Sequence, residues 1–266
     1  MTAGPITFTL DLEDYAPAGT PARANAIVPR VLDLLAENGV RGTFFVVGEL
    51  AEAEPDLVKR IAAAGHEIAL HAYRHVPLPS LTPAVFRDET ARGRSVLEAI
   101  SGAAVTGFRA PSFSLVAESR WAVDELTDLG FVYSSSVLPA HSPLFGWPGQ
   151  PRRPYRWPGG LIELPCPVAS FGPHLANPYL GGVYFRVLPW PAVRLGLARA
   201  RSAEVLWLYC HPYDFDPDEP FVARGDVGRF GNRLLWLNRS GMAARVARVL
   251  AGHAAPPLAV RALTID

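Results

Sequence analysis

Two histidines, His71 and His75, stand four residues apart directly after a short apolar segment, residues 66–70. Two imidazoles at this spacing can bind one metal ion if the backbone turns helically between them. Because a strand precedes the pair, we expect the metal at the carboxyl end of a sheet, where open α/β sheets and barrels place their chemistry. An isolated pair of this kind is more often two surface histidines, so the rest of the chain has to decide.

Three carboxylates follow the first apolar segment. Residues 6–10 alternate as a strand does and run directly into Asp11, Glu13 and Asp14. Carboxylates that are buried together repel one another and lose their hydration. A divalent cation would offset that cost, so this segment also predicts a metal site.

Two more apolar segments end in residues that could do chemistry. One leads to Arg109, with Pro111 stopping the strand, and the other, residues 205–210, ends in His211. Together with the histidine pair and the acidic segment, four strands each end in a polar residue. Four such endings predict one shared site.

These four endings, in this order, resemble the motifs of the polysaccharide deacetylases of carbohydrate esterase family 4. The resemblance spans residues 5 to about 215 and rests on Thr9-Leu-Asp11, His71 with His75, Arg109-Ala-Pro111 and Leu208-Tyr-Cys-His211. The bacterial exopolysaccharide-associated subgroup is the most similar, through segments 11–15, 108–114, 181–186 and 211–216.

The resemblance implies a metal-dependent hydrolytic site. His71, His75 and one carboxylate would hold a divalent metal, zinc in the first place, with cobalt and manganese as alternatives. Asp11 would take a proton from the attacking water, and Arg109 would keep Asp11 ionised and oriented. His211 would protonate the departing amine.

The same resemblance implies where substrate binds. The metal and the backbone N–H of Ser112, just after Pro111, would stabilise the oxyanion. Tyr15, at the end of the acidic segment, completes this set of predicted substrate contacts.

The third metal ligand is open, because residue 12 is leucine where many family members have a second aspartate. Strand alternation puts Glu13 on the same face as Asp11. Asp14 is the alternative if the strand ends at Glu13, and aspartate is the more usual ligand. One of the two could instead hydrogen-bond the loop backbone.

A second departure concerns the partner of His211. Close relatives often carry an aspartate where this chain has Ser134. Asp214 and Asp216 are candidates to replace it, although a proline-rich acidic loop is more often simply solvated.

Composition agrees with one ordinary enzyme domain over residues 1–266. The chain is 49% hydrophobic with a net charge of zero, and it lacks the basic runs expected of a nucleic-acid-binding protein. No apolar segment reaches the roughly 18 residues needed to span a bilayer. No signal peptide is visible, so a cytoplasmic location is expected, and Cys166 and Cys210 suit reduced core thiols. The oligomeric state is not predicted.

The predicted elements alternate between strands and helices. Helices are expected at 23–38, 55–64, 82–100 and 118–129, and cover helices at about 226–252. This alternation predicts an α/β fold with a parallel sheet, and the resemblance makes it an irregular seven- or eight-stranded (β/α) barrel.

A segment rich in proline and aromatic residues, about 137–190, interrupts the alternation. Long ordered loops in compact domains are usually functional. Trp147 and Trp157 are therefore predicted to stack on sugar faces, with packing of a stiff loop as the equal alternative.

We therefore predict a metal-dependent hydrolase that removes an N-acetyl group from an amino sugar in a glycan or glycan precursor. One alternative is a hydrolase of cyclic amides, ureides or other small acetamides on the same fold. The other alternative, suggested by Leu12 and Ser134, is a catalytically weak glycan-binding pseudoenzyme.

Overall fold

The computed structural model describes residues 4–14, 23–172, 175–200, 205–222 and 228–265. Ten strands lie in these ranges: β1 Ile6–Leu12, β2 Thr43–Val46, β3 Glu67–Leu70, β4 Gly107–Phe108, β5 Tyr133–Ser134, β6 Tyr155–Arg156, β7 Ile162–Glu163, β8 Val168–Gly172, β9 Leu175–Pro178 and β10 Leu206–Cys210. The helices are α1 Ala24–Glu37, α2 Gly48–Ala53, α3 Pro55–Ala63, α4 Pro83–Ser101, α5 Trp121–Asp128, α6 Gly182–Val187, α7 Trp190–Arg199, α8 Arg229–Trp236, α9 Met242–Leu250 and α10 Leu258–Ala262. No helix within the described ranges has both the length and the apolar character to cross a membrane.

Eight of the strands form one sheet in the order β10-β1-β2-β3-β4-β5-β7-β6. All of its pairs are parallel except β6 with β7. The sheet is curled, because side chains from β2, β5, β7 and β10 meet in one interior cluster that contains Phe45, Tyr133, Ile162 and Trp207. Within the described part of the chain no ladder joins β6 to β10, so the barrel is incomplete. The prediction of an irregular seven- or eight-stranded (β/α) barrel is confirmed.

The larger hydrophobic core lies between the outer face of the sheet and the helices. Phe8, Leu10 and Leu12 of β1 belong to it, together with side chains of α1, α3 and α4. Because side chains alternate along a strand, Thr7, Thr9 and Asp11 point to the interior of the barrel. This alternation is what brings the end of β1 to the candidate site.

Helix α4 shows how the local sequence fixes an element. Thr82 caps its first turn, with its hydroxyl accepting from the N–H of Val85 at 3.3 Å, and Pro83 stands in that turn. Gly102 ends the helix in the left-handed conformation, at φ 69°.

The segment 137–190 differs from the expected insertion. It contains β6 and β7, which are strands of the main sheet, and the hairpin of β8 with β9, as well as α6. The strands β6 and β7 of this segment are therefore part of the barrel, whereas β8 and β9 form a separate two-stranded sheet. Helices α2, α7 and α10 were also not predicted.

Candidate metal centre and active site

Glu13, His71 and His75 come together at the carboxyl ends of β1 and β3. One ligand atom from each residue lies within 4.8 Å of the others. The Oε2 atom of Glu13 lies 3.9 Å from Nε2 of His71 and in closer contact with Nε2 of His75. A carboxylate and two imidazoles are a common ligand set for a catalytic divalent metal.

The orientation of His71 is fixed by the neighbouring strand. Its Nδ1 atom lies 2.9 Å from the carbonyl oxygen of Arg109. Since a carbonyl can only accept, Nδ1–H is the donor, which leaves Nε2 unprotonated and directed at Glu13. The helical turn expected between the two histidines is absent: residues 71–75 form a loop in which Ala72 has φ 60°.

The protonation states of two members of this group suit a metal. Burial alone would raise the pKa of Glu13, but the charges of His75, His211 and His71 outweigh it and bring the pKa down to about 2. Burial lowers the pKa of His71 to about 4. Metal ligands bind as the ionised carboxylate and the neutral imidazole, so the residues present fit a divalent cation.

Asp14, the alternative ligand, lies apart from this group. Its Oδ2 atom accepts from the backbone N–H of Ala24, at 3.3 Å, where α1 begins. A carboxylate at this place stabilises the start of a helix. The geometry therefore favours Glu13 as the third ligand.

Asp11 forms a buried ion pair with Arg109. Oδ1 of Asp11 lies 2.5 Å from Nη1 of Arg109, and neither residue is more than 3% exposed. The same guanidinium donates to Thr9 at 2.8 Å and to the Ser135 hydroxyl at 3.0 Å. It also lies over the rings of two interior aromatic residues, Phe45 at 3.9 Å and Trp207 at 4.3 Å. Because these contacts fix the Arg109 guanidinium, it keeps the Asp11 carboxylate in one orientation.

His211, at the end of β10, reaches the same group from the other side. Its Nε2 atom lies 3.5 Å from Oε1 of Glu13, and its Nδ1 atom lies 3.0 Å from Oδ2 of Asp214. Burial would lower the pKa of His211, but the hydrogen bond that its ring donates to Asp214 and the charges of Glu13, Asp214 and Asp11 outweigh it and raise the pKa. Asp216, the other candidate partner, is instead paired with Arg23.

The loop after Arg109 carries strained backbone. Ser112 and Phe113 both have φ 54°, a conformation that costs non-glycine residues roughly 1–3 kcal/mol. Pro111 is buried, whereas Ser112 is exposed. Together with Ala72 beside His71, these residues place strain around the candidate site, as is typical of functional positions.

The remaining predicted contacts are not assembled at this site. Trp157 is 8% exposed and belongs to the outer core, with the Trp147 ring at 5.9 Å from its own. The backbone N–H of Trp157 donates to Leu161 before β7 begins, which is the end of that strand away from the site. The packing alternative is therefore favoured for both tryptophans. Tyr15 lies outside the described residues.

Sequence reasoning missed the residues that support Arg109 and Asp214. The Ser135 hydroxyl accepts from Nη2 of Arg109, the Ser136 hydroxyl accepts from the backbone N–H of Ala110, and Glu163 accepts from the N–H groups of Ser136 and Val137. Arg186 pairs with Asp214 at 2.7 Å. The run of three serines at 134–136 was the available signal for the first set, whereas nothing in the sequence paired Arg186 with Asp214.

Two family models match the chain. Residues 5–133 match the family described as polysaccharide deacetylase, and residues 135–255 match one described as a domain of unknown function (DUF3473). The subgroup suggested by the sequence stays a prediction.

Curated relatives match over short segments. The peptidoglycan-N-acetylglucosamine deacetylase of Bacillus cereus is 34% identical over 98 residues, which are 36% of this chain and 36% of that protein. A chitooligosaccharide deacetylase of Sinorhizobium fredii is 46% identical over 71 residues, 27% of this chain and 30% of that protein. The chain thus matches about a third of the length of these relatives.

Solved structures match over nearly the whole chain. A protein of Mycobacterium smegmatis assigned to the polysaccharide deacetylases has a TM-score of 0.58 at 24% identity, covering 99% of this chain and 93% of that one. A family 4 carbohydrate esterase pseudoenzyme of Bacillus anthracis has a TM-score of 0.53 at 15% identity, covering 97% and 66%. At these identities the matches show the fold.

Proposed function

The chain belongs to the polysaccharide deacetylase family, and from this premise we propose that it is a metal-dependent hydrolase that removes an N-acetyl group from an amino sugar in a glycan or glycan precursor. The observation that carries the proposal is the meeting of Glu13, His71 and His75 beside the Asp11–Arg109 ion pair and His211. Ligands, a base and an acid are thus available at one place.

Glu13, His71 and His75 would hold the metal, which when bound supplies a Lewis acid for the acetamide carbonyl and for water. Asp11 then takes the proton of the attacking water. Arg109 holds the Asp11 carboxylate aimed into the site, because its own guanidinium is fixed by Thr9, Ser135 and the interior rings.

His211 serves as the general acid. Its Nδ1–H is engaged by Asp214, so Nε2 is the nitrogen that faces the site and delivers a proton to the departing amine. The backbone N–H of Ser112 would stabilise the oxyanion, in keeping with the strained conformation of its loop. Proton removal and proton delivery are thereby divided between Asp11 in β1 and His211 directly after β10.

The substrate class is supported by the relatives, which are named for the deacetylation of peptidoglycan and chitooligosaccharide sugars. A hydrolase of this class would be expected to release acetate and leave a free amino sugar. We take acetylated glucosamine oligomers as the first substrates to test.

The experiment compares metal content with acetate release. Purified protein is depleted of metal, reloaded with zinc, cobalt or manganese, and assayed on chitooligosaccharides and on peptidoglycan fragments. We expect about one metal ion per chain and acetate release in the loaded protein only. His71→Ala and His75→Ala should lose metal and activity together, whereas His141→Ala, at an exposed histidine that is not part of the Glu13, His71 and His75 group, should keep both.

Other outcomes separate the alternatives. Full metal content without acetate release, combined with retained glycan binding, would favour the glycan-binding pseudoenzyme. Hydrolysis of cyclic amides but not of acetylated sugars would favour the second hydrolase. Unchanged metal content in both histidine variants would overturn the metal assignment itself.

A further inference from the structure

We propose that Asp214 and Arg186 are positioning residues that fix the imidazole of His211, an inference that rests on the proposed function. Neither side chain is exposed to solvent, so neither would touch a bound substrate. Arg186 would act on Asp214, and Asp214 on His211. Residues 135–255, which match the domain of unknown function, would then supply the general acid His211 together with the two residues that hold it in place.

Asp214 holds His211 at two points. Its Oδ2 atom accepts from the backbone N–H of His211 at 2.8 Å and lies 3.0 Å from the Nδ1 atom of the ring. Residues 212–215 form a single 3-10 turn directly after His211, so the carboxylate and the imidazole lie on one short segment. The ring of Tyr213 stacks on that of His211, with centroids 4.6 Å apart and planes 8° apart. The imidazole therefore has little freedom to rotate.

Arg186 occupies the other oxygen of the same carboxylate. Its Nε atom lies 2.7 Å from Oδ1 of Asp214, and both side chains are completely buried. Two buried charges in contact are stabilised only by each other and by hydrogen bonds, and removing one leaves the other uncompensated.

The backbone around Arg186 is anchored as well. Nη1 of Arg186 donates to the carbonyl oxygen of Leu237 at 2.5 Å, and the carbonyl oxygen of Arg186 accepts from the Asn238 side chain at 3.2 Å. Helix α6 is thus tied to the segment after α8. The guanidinium that meets Asp214 is therefore itself held in place.

The arrangement divides the candidate site between the two matched regions. Asp11, Glu13, His71, His75 and Arg109 all lie within residues 5–133. His211, Asp214 and Arg186 all lie within residues 135–255. The first region supplies the base and the metal ligands, and the second supplies the acid together with its supporting charges.

The test uses the metal-loaded full chain and the variants Asp214→Asn, Arg186→Gln, Arg186→Lys and the double variant Asp214→Asn with Arg186→Gln. We expect Asp214→Asn to lower kcat by about 10- to 100-fold, the effect that loss of a histidine's orienting hydrogen-bond partner has at metal sites, with KM and metal content unchanged. Arg186→Gln should lower kcat, and Arg186→Lys should restore part of it. The double variant should be no slower than Asp214→Asn, because Arg186 acts only through Asp214.

Asp216→Asn is the matched control, since it makes the same change at a buried carboxylate of the same segment that pairs with Arg23 instead of His211. It should leave kcat unchanged. Thermal unfolding of every variant separates loss of folding from loss of positioning. Wild-type kcat in Asp214→Asn, or effects of Arg186→Gln and Asp214→Asn that multiply in the double variant, would overturn the proposal.

A second readout does not depend on activity. In zinc-loaded protein with ¹⁵N-labelled histidine, the neutral ring of His211 should carry its proton on Nδ1 at alkaline pH, and a His211→Gln variant assigns its signals. Asp214→Asn should change that signal, whereas Asp216→Asn should not. The ¹⁵N signal of His211 can be measured even if no acetylated sugar is hydrolysed. Failure of the proposed function is therefore distinguishable from failure of the positioning proposal.

Discussion

At the scale of single residues, the candidate site depends on charges that burial alone would remove. Glu13 is almost fully buried, yet the histidines around it bring its pKa to about 2. Burial lowers the pKa of His71 to about 4, so its ring is neutral at ordinary pH. A negative carboxylate beside a neutral imidazole is the state that a cation requires.

The choice between the two acidic neighbours can be tested directly. Glu13→Gln should weaken zinc binding by about a hundredfold or more, because even partners outside the ligand shell cost about 10- to 100-fold. Asp14→Asn should leave zinc binding unchanged, since that carboxylate meets the start of α1. Titration of metal-depleted protein with zinc measures both. Equal weakening in the two variants would show that Asp14 also reaches the metal.

The second residue prediction concerns the base. Asp11→Asn should keep its metal and lose at least about a hundredfold in kcat, the lower end for loss of general base catalysis. An amide has nearly the same shape as the carboxylate, so the contact with Arg109 is weakened but the packing is kept. Acetate release and metal analysis on the same preparation provide the measurement. Near-wild-type turnover would place the base elsewhere.

At the scale of elements, the sequence predicted those parts that local chemistry determines. β1 and β10 were predictable because each is an apolar run ending in a polar residue, and α4 because Thr82, Pro83 and Gly102 mark its two ends. The alternation of side chains along a strand also predicted that Glu13 would lie on the same face as Asp11.

Other elements depend on contacts that are distant in sequence. β4 and β5 are only two residues long, and their pairing is defined by neighbouring strands. Helix α6 begins where Gly181 packs on the ring of Tyr209, and a Cβ at residue 181 would lie 2.2 Å from that ring. The loop between His71 and His75 depends on a left-handed Ala72. None of these features has a local signal, which is why the sequence could not supply them.

Trp157, which lies between β6 and β7, gives a prediction at this scale. Because Trp157 lies in the outer core, Trp157→Ala should destabilise the fold by about 3–5 kcal/mol, the usual cost of removing a buried tryptophan. KM for a glycan should not change in the protein that stays folded. Leu144→Ala, a change at an exposed residue of the same region, is the control. Urea unfolding measures the stability of each variant, and steady-state kinetics measure its KM. A raised KM in a Trp157→Ala variant of unchanged stability would instead support the sugar-stacking role.

At the scale of the whole molecule, stability should depend on pH through a residue far from the chemistry. Burial, with a smaller effect of the Arg41 charge, lowers the pKa of His66 from 6.5 to about 4. Its Nδ1 accepts from the N–H of Gly42 at 3.0 Å, which protonation would prevent. Between pH 6.5 and 4, His66 binds a proton in the unfolded chain but not in the folded chain, so the free energy of unfolding falls as pH falls.

The size of this effect is about 3 kcal/mol at most, from 1.36 kcal/mol per unit of pKa. His66→Asn can still accept the Gly42 N–H but cannot titrate. Its free energy of unfolding, measured in urea across this pH range, should fall less steeply than that of the wild type. An identical slope in both proteins would mean that His66 is already neutral in the unfolded state or charged in the folded one.

The last expectation concerns the two matched regions, which share one sheet. β1 lies between β2 and β10, and β5 pairs with β7, so both ends of the first region are bordered by strands of the second. Ile6 also exchanges backbone hydrogen bonds with residues near the C-terminus, donating to His253 at 2.6 Å and accepting from Ala255 at 3.0 Å. Neither region has a complete set of strand partners by itself.

We therefore expect one cooperative unfolding transition for the chain. Far-ultraviolet circular dichroism and tryptophan fluorescence should give the same midpoint in urea, as two-state unfolding requires. A fragment ending at residue 134 would leave the edges of β1 and β5 without partners and should show no cooperative transition. Two separate midpoints, or a stably folded fragment, would contradict the single domain. In that case the acid histidine and the metal ligands would belong to units that fold independently and have to dock to work together.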